Sequence, residues 1–242
     1  MVDAAFADPR LAALYDALEG DRPDLDLYVS LVAESGVHTV LDVGCGTGTL
    51  ACTLAGRGVR VVGLDPAAAS LDVARGKPHA EDVRWVHGDA TSLPPLRVDL
   101  ATMTGNVAQV FLTDEEWATA LRAVREVLRP GGRLVFESRR PERQAWREWT
   151  RERSSARADV PGVGPVQTWV QVTDVRDGLV SFRSTYRFER DGAELTSDST
   201  LRFRSRGELT DSVTAAGLAV EDVRDAPDRP GREFVVIARR PG

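Results

Sequence analysis

The sequence predicts an α/β fold with a parallel sheet, interrupted by a small antiparallel β-meander. Strand-like apolar segments alternate with helical patterns from residue 39 to residue 138, which is typical of βαβ units. The first segment runs into a glycine-rich turn, LDVGCGTGTL. Later in the chain the turn sequences RDG and RDGAE join strand-like segments directly, which indicates hairpins. A chain of 242 residues has room for one such domain with one added element.

Residues 1–35 are predicted to form a helical lid. Leu11, Leu14 and Leu18 recur at helical spacing. The segment 20–23 contains a glycine and a proline and breaks this pattern, so a second helix is expected from residue 25 onward.

The core is predicted in two pieces, 36–138 and 207–242. Its strands are expected at 39–43, 59–65, 83–89, 98–104, 133–138 and 233–240. Its helices are expected at 49–57, 66–75, 113–128 and from residue 207 onward. Thr113 and Glu116 have the spacing of a capping box, and PGG at 130–132 is interpreted as the turn into the fifth strand.

Residues 139–206 are predicted to be an insertion that acts as a substrate lid or as a dimer contact. A helix is expected at 141–154, and the meander follows it. A helix and a strand of the core come after the meander. The meander therefore interrupts the α/β domain and does not form a domain behind it.

Composition and charge exclude several classes of partner. The formal charge is −6, which argues against nucleic acid as the main partner, because neutralising phosphates usually needs a basic surface. The chain has no apolar stretch near the roughly 20 residues that span a bilayer and no signal-peptide pattern, so a cytoplasmic protein with no membrane partner is expected. Two cysteines and three histidines lack the spacing of metal ligands, so no metal site is predicted.

The glycine-rich turn does not match two common nucleotide loops. It lacks the Gly-Lys-Ser/Thr ending of a P-loop. The dinucleotide fingerprint needs glycine at its first, third and sixth positions, and counting from Gly44 the sixth position is Thr49. The turn has the pattern GxGxG instead.

Three acidic residues follow three successive predicted strands and indicate which ligand the turn holds. Asp42 would place a carboxylate at the mouth of the turn, where it suits an ammonium group. Asp65, at the end of the second strand, can accept hydrogen bonds from both ribose hydroxyls. Asp89, in the sequence GDA, would reach the adenine amino group. This set fits a nucleoside with an amino-acid head, and that description matches S-adenosylmethionine.

With these motifs the sequence resembles the class I S-adenosylmethionine-dependent methyltransferases. The matching segments are VLDVGCGTG, VVGLDP, GDA, VDLATM and LRPGGRLVFE, in this order. The resemblance implies a Rossmann-like sheet of seven strands whose last strand, EFVVIARR, is antiparallel. It also implies cofactor contacts from Tyr15, Arg22, Gly44, Cys45, Gly46, Asp65, Pro66, Asp89, Ala90 and Met103.

The flanking segments are similar to those of amino-sugar N,N-dimethyltransferases and, more loosely, glycine-type N-methyltransferases. This likeness implies that Tyr15 lies over the methyl group of the cofactor and that Asn106 and Gln109 contact the acceptor. An aromatic residue or a histidine is usual in the place of Gln109, so the acceptor and the use of a general base stay open. Arg22 is either a solvated charge or a partner for the methionine carboxylate.

The predicted activity is methyl transfer to a small molecule, of the kind found in secondary metabolism. The sequence offers no outstanding general base, which favours an amine nitrogen as the acceptor and positioning as the source of catalysis. Transfer to oxygen is the second possibility, and a protein that binds the cofactor without catalysis is the third. The edge of the meander is a candidate surface for a homodimer.

Several other residues are assigned structural roles. Asp99 is expected to face backbone amides at the start of its strand, and His87 is expected to be a satisfied core histidine. Trp146 and Trp149 are expected to anchor packing.

Overall fold

The computed structural model describes residues 2–34 and 36–242, so Met1 and Ser35 of the predicted lid lie outside the described residues. Eleven strands occur in the described part of the chain. In chain order they are β1 Thr39–Val43, β2 Arg60–Asp65, β3 Val83–His87, β4 Val98–Met103, β5 Leu128–Arg139, β6 Ala156–Val160, β7 Gly164–Arg176, β8 Leu179–Phe188, β9 Glu194–Arg202, β10 Ala219–Asp225 and β11 Glu233–Arg239.

Seven of these strands form one mixed sheet in the order β10-β11-β5-β4-β1-β2-β3. Strands β1 to β5 are parallel where they pair, and β11 is antiparallel to both β5 and β10. The Rossmann-like seven-stranded sheet with an antiparallel last strand is therefore confirmed. The order in which strands are added to the sheet reverses between β1 and β4, and the glycine-rich turn follows β1 at this point, which is where open α/β sheets bind ligands.

Nine α-helices occur in the described residues. They are α1 Ala4–Ala7, α2 Pro9–Ala12, α3 Tyr15–Glu19, α4 Asp26–Glu34, α5 Thr49–Ala55, α6 Ala68–Arg75, α7 Asp114–Val127, α8 Arg151–Ser154 and α9 Arg206–Ala215. Helix α7 begins with the predicted capping box between Thr113 and Glu116. None of these helices is both long and apolar enough to cross a bilayer.

Two apolar clusters cover the two faces of the large sheet. One contains Trp117 of α7, Val213 of α9 and Phe136 of β5. The other contains Tyr28 of α4, Leu54 of α5 and Val135 of β5. Neighbouring residues of β5 thus point to opposite clusters, as expected for a strand buried on both faces.

The meander is a separate antiparallel sheet with the order β6-β7-β8-β9. Asp177 and Gly178 both have positive φ, 50° and 74°, at the tight turn between β7 and β8, so the RDG hairpin signature is confirmed. Leu11 and Leu14 of the N-terminal segment pack against this sheet at Phe188. The first helices and the meander are therefore joined by one apolar cluster.

Three expectations about secondary structure need correction. The predicted helix at 141–154 is two short 3-10 turns and the four-residue helix α8, because Gln144 has a φ of 47° and interrupts it. The PGG sequence at 130–132 lies within β5 and not in a turn before it. Its backbone bonds to Arg240 in both directions, from Gly131 N at 2.9 Å and to Gly132 O at 2.8 Å. Strand β10 was not predicted, and its first two residues fall in a segment expected to be helical; it forms the sheet edge.

Candidate active site

The glycine-rich turn after β1 provides an open cradle at one position. Gly44, Gly46 and Gly48 all have positive φ, 68°, 54° and 77°, which favours glycine. A Cβ on Gly44 would lie 2.5 Å from a methyl group of Val107, and one on Gly48 would lie 2.6 Å from the Trp85 ring. A Cβ on Gly46 would meet no atom within 4 Å. Gly46 is therefore where a ligand can approach the backbone.

Asp65, the last residue of β2, fixes the position of this cradle. Its Oδ2 accepts a hydrogen bond from the Gly46 amide at 2.8 Å, and its Oδ1 accepts one from the Ala67 amide at 2.8 Å. The side chain is buried, and burial raises the pKa of its carboxyl group. Each carboxylate oxygen can accept more than one hydrogen bond, so Asp65 retains capacity for a ligand hydroxyl.

Asp42 of β1 is a buried acid with a free oxygen. Its Oδ1 accepts a hydrogen bond from Thr102 Oγ1 at 2.8 Å, and its Oδ2 has no partner among the described residues. Burial raises the pKa of Asp42 to about 7, and the charge of Asp65 acts in the same direction. A buried carboxyl with an unpaired oxygen is costly by itself and suits a cationic ligand group.

The predicted adenine contact lies at the end of β3. Asp89 is exposed, and its Oδ1 caps a short turn by accepting a hydrogen bond from the Thr91 amide at 2.8 Å, while Ala90 beside it is buried. This turn is tied to the second strand, because the Gly88 amide donates to Asp65 O at 3.0 Å. Whether Asp89 also contacts a ligand stays a prediction.

Pro66 lies between the ends of β2 and β3. It is exposed, and its carbonyl oxygen lies 3.1 Å from His87 Nε2. His87 is itself exposed, so its assignment to the core is wrong. The alternation of burial along β3 ends before this residue because the strand lies at the edge of the sheet.

Tyr15 and Arg22 bring the N-terminal segment toward this region. Tyr15 is partly buried beside Phe6, and burial together with the charge of Glu19 raises its pKa to about 12. Arg22 donates two hydrogen bonds to Asp24, at 2.9 and 2.7 Å. Its Nη2 lies 3.9 Å from the position of a Cβ on Gly105, in the loop after β4. Arg22 is thus paired and not a solvated charge.

Cys45 and Met103 turn their side chains into the protein. The Met103 side chain is fully buried in the cluster that contains Trp117. Only the main chain of Met103 could therefore contact the cofactor. The Cys45 sulfur lies 3.1 Å from the position of a Cβ on Gly63, and burial raises the pKa of its thiol. The Cys45 amide donates to Leu64 O at 3.1 Å.

Gln109 and Asn106, the predicted acceptor residues, are both buried. Gln109 Nε2 donates to the carbonyl of Arg202 at 3.3 Å, and its Oε1 accepts from Arg139 Nη1 at 3.1 Å. Gln109 therefore joins the ends of two strands, and its contact with an acceptor stays a prediction. Asn106 Nδ2 donates to Glu233 Oε1 at 3.2 Å, while Asn106 Oδ1 has no partner among the described residues.

Sequence reasoning missed two buried glutamates on neighbouring strands. Glu137 of β5 accepts hydrogen bonds from Tyr28 Oη at 3.1 Å and from the Gly105 amide at 2.8 Å. Glu233 begins β11 and is 2% exposed. Burial and the charge of Glu233 raise the pKa of Glu137 to about 7. Their position within the apolar strand sequences RLVFES and EFVVIA was a usable signal.

A polar contact also joins the N-terminal helices to the glycine-rich turn. Lys77 Nζ lies 2.7 Å from Asp16 Oδ2 and 2.8 Å from Thr49 Oγ1. Asp16 Oδ1 accepts from Thr47 Oγ1 at 2.6 Å. A cleft of about 430 Å³ lies beside this contact and reaches Arg22.

Asp99, Trp146 and Trp149 make the structural contacts that the sequence predicts. Asp99 accepts from the amides of His38 and Thr39, at 3.0 and 2.9 Å, so its expected role is confirmed. Trp146 packs edge-on against Phe203 at 4.6 Å, and Trp149 packs against Phe182 at 4.8 Å, as expected for packing anchors.

The fold and the turn define the class of the domain, and comparison with known families agrees. Residues 40–132 match the family described as a methyltransferase domain. This segment contains the glycine-rich turn, Asp42, Asp65 and the loop after β4. The central part of the chain therefore has a Rossmann-like fold and is similar in sequence to methyltransferase domains.

Solved structures with this fold cover nearly the whole chain. The CcbJ methyltransferase from Streptomyces caelestis aligns over 100% of both chains with a TM-score of 0.77 and 23% identity. A sugar N-methyltransferase from Streptoalloteichus aligns over 94% of this chain and 91% of its own with a TM-score of 0.79 and 19% identity. At these identities the likeness shows the fold alone.

Relatives in sequence match a shorter segment. An uncharacterized methyltransferase of Oceanobacillus iheyensis is 33% identical over 111 residues, which is 46% of this chain and 51% of that protein. The cypemycin N-terminal methyltransferase of a Streptomyces species is 38% identical over 105 residues, 43% of each chain. The chain thus spans about half of the length of these relatives.

Proposed function

We propose that the protein transfers a methyl group from S-adenosylmethionine to an amine nitrogen of a small molecule. The observation that supports the cofactor is the open space at Gly46 beside the Asp65 carboxylate, together with the unpaired oxygen of Asp42 in the strand that leads into the turn. These groups match the parts of the cofactor. Asp65 would accept hydrogen bonds from ribose hydroxyls, and Asp42 Oδ2 would face the ammonium of the methionine end.

The cofactor supplies an electrophilic methyl group on a sulfonium, so the residues of this chain need to bind, orient and exclude water. Orientation of the acceptor in line with the bond that breaks can lower the barrier by several kcal/mol, up to roughly 7–11. Tyr15 and Arg22 would close the cofactor site from the lid. Asn106 and the residues around it would line the acceptor side, because they follow β4 at the same edge of the sheet.

An amine acceptor is supported by buried acidic side chains at the edge of the sheet where the parallel strands end. Glu137 and Glu233 are buried carboxyl groups near the loop after β4, and they suit a cationic or proton-releasing acceptor better than a neutral one. Two solved structures with this fold also support an amine acceptor, since one is a sugar N-methyltransferase and the other is an amino pentose methyltransferase.

The test is turnover with matched acceptors. Purified protein is incubated with methyl-labelled S-adenosylmethionine and with pairs of compounds that differ only by an amine or a hydroxyl group, including amino sugars, amino acids and phenols. We expect labelled product and S-adenosylhomocysteine with at least one amine, and none with its hydroxyl partner. Labelling of hydroxyl compounds alone would establish an O-methyltransferase instead. Binding of the cofactor without transfer to any member of the panel would favour a non-catalytic protein.

A further inference from the structure

We propose that Glu233 and Asn106 together form the anchor for the acceptor nitrogen, and that Glu233 takes the proton which an ammonium acceptor must lose. This inference rests on the proposed function. It assigns the two residues to a primary or secondary amine as the ligand class.

The first observation is a pair of unpaired acceptor atoms on two residues that are hydrogen-bonded to each other. Glu233 Oε2 and Asn106 Oδ1 are both buried, and neither has a hydrogen-bond partner in the described part of the chain. Asn106 Nδ2 donates to Glu233 Oε1 at 3.2 Å, so the two residues that carry these atoms are in direct contact. Two neighbouring acceptors without donors match a ligand nitrogen that carries at least two hydrogens.

The second observation is the position of the pair along the sheet. Asp65 ends β2, Asp42 lies in β1, Asn106 follows β4, and Glu233 begins the antiparallel β11, so all four lie toward the same edge of the sheet. The proposed cofactor groups occupy the β1 and β2 part of this edge. The anchor lies beyond β4, on the side of the proposed cofactor site where an acceptor would bind.

The third observation is the charge of the surroundings. Arg229 Nη1 lies 3.2 Å from Glu233 Oε1, Arg229 Nη2 lies 3.9 Å from Glu137, and Arg229 Nε also pairs with Asp228 at 2.8 Å. Arg139 Nε lies 3.8 Å from Glu233. Three carboxylates thus share two guanidinium groups. An added ammonium would balance this cluster and stabilise the charged forms of both buried glutamates.

Glu233 is a better anchor than Glu137. Both oxygens of Glu137 already accept hydrogen bonds, one from Tyr28 Oη and one from the Gly105 amide. Only Oε1 of Glu233 is engaged. Glu137 therefore acts as a positioning residue for the loop that carries Asn106, since it holds the residue immediately before it.

The reaction at this anchor balances as follows. An ammonium acceptor donates one proton to Glu233 Oε2 and keeps a hydrogen bond to Asn106 Oδ1. The freed lone pair forms the new N–C bond while the C–S bond breaks, and the electron pair of that bond stays on sulfur. The product leaves as an N-methylammonium ion, and Glu233 returns its proton to solvent.

The experiment uses sinefungin, a cofactor analogue whose amine stands in the place of the transferred methyl group, and S-adenosylhomocysteine, which lacks that group. Calorimetry measures the affinity of both for the whole protein and for Glu233→Gln. We expect the wild type to prefer sinefungin by about tenfold, as a charged hydrogen bond in a buried site implies. In Glu233→Gln this preference should disappear, while S-adenosylhomocysteine binds within about twofold of the wild type.

Two further variants make the result decisive. Glu221→Gln removes a carboxylate that pairs with Arg133 and Arg239, away from the anchor, and should keep the preference. Asn106→Gly is compatible with the local φ of 64°. This variant should lose part of the preference for sinefungin, and it tests the anchor even if Glu233→Gln does not fold. A preference that is absent from the wild type, or equal in the wild type and Glu233→Gln, overturns the anchor. Failure of S-adenosylhomocysteine to bind the wild type would instead overturn the proposed function.

Discussion

Lys77 Nζ lies 2.7 Å from Asp16 Oδ2, and this ion pair fastens the N-terminal helices to the glycine-rich turn. Asp16 is the neighbour of Tyr15, and its other oxygen accepts a hydrogen bond from Thr47 inside the turn. Lys77 also donates to Thr49, the first residue of α5. The contact therefore connects the lid, the turn and the end of α6 in one place.

Lys77→Met is expected to loosen the lid. The pair is partly exposed, so it contributes only about 0.2–1 kcal/mol, and affinity for S-adenosylhomocysteine should fall by roughly two- to fivefold. Limited proteolysis should cut the N-terminal segment faster in the variant. Arg75→Met, which breaks an exposed pair with Asp72 on α6, is the matched control and should change neither quantity. Equal affinity and equal cleavage in Lys77→Met and the wild type would show that the pair does not hold the lid.

Gly46→Ala is expected to block cofactor binding with a small loss of stability. Its Cβ would enter the open cradle, and the positive φ costs about 1 kcal/mol. Gly58→Ala has a similar φ of 81° and also meets no atom within 4 Å, so it carries the same backbone cost away from the cradle. The melting temperatures of the two variants should be similar, while calorimetry should detect cofactor binding only in Gly58→Ala. Normal binding by Gly46→Ala would mean that the ligand does not approach this glycine.

Cofactor affinity is expected to depend on pH through Asp42. Its pKa is raised to about 7, so its contribution to folding stability is present below the ordinary value of 3.8 and is lost as pH rises through 7. The affinity for the ligand is expected to rise with pH instead, because a ligand ammonium favours the ionised carboxylate. Thr102, Asp65 and Arg22 act on the same group, through a hydrogen bond and through their charges.

The measurement is the affinity for S-adenosylhomocysteine between about pH 5.5 and pH 7.5, where we expect roughly a tenfold increase in the wild type. Asp42→Asn should bind more weakly and show a much smaller increase. An unchanged slope in Asp42→Asn would assign the dependence to another group.

Asp65→Asn is expected to lose cofactor binding and some stability. Asp65 accepts hydrogen bonds from the amides of Gly46 and Ala67, and an amide side chain cannot accept at both positions. One buried N–H is then left without a partner, at a cost of about 1–3 kcal/mol. Denaturant unfolding and calorimetry measure the two effects. Asp72→Asn, on the exposed side of α6, should behave as the wild type in both. A variant that binds normally would show that Asp65 does not contact the ribose.

Much of the fold was predictable because local signals agreed with the tertiary structure. Strand β1 begins and ends at the predicted residues, since its apolar run is buried throughout. Helix α7 begins at its predicted cap. The segment 141–154 was not predictable in the same way, because Gln144 has a positive φ and Trp146 packs against Phe203, which is distant in the chain. The helical pattern of its sequence is overridden by contacts with residues distant in the chain.

The cofactor side of the site was more predictable than the acceptor side. Asp42, Asp65 and Gly46 lie within motifs at strand ends, where the spacing alone places them together. Glu233 is 127 positions from Asn106, and only the pairing of β11 with β5 brings them into contact. A long-range contact between a loop and an antiparallel strand leaves no periodic signal in the sequence.

The central claim is that the turn at residues 44–48 holds S-adenosylmethionine, and a calorimetric titration tests it directly. The purified protein is titrated with S-adenosylmethionine, with S-adenosylhomocysteine and, as a control, with NADH. We expect binding of the first two with dissociation constants on the order of micromolar, and none of NADH. Binding of NADH, or no binding of the two adenosyl compounds, would contradict it.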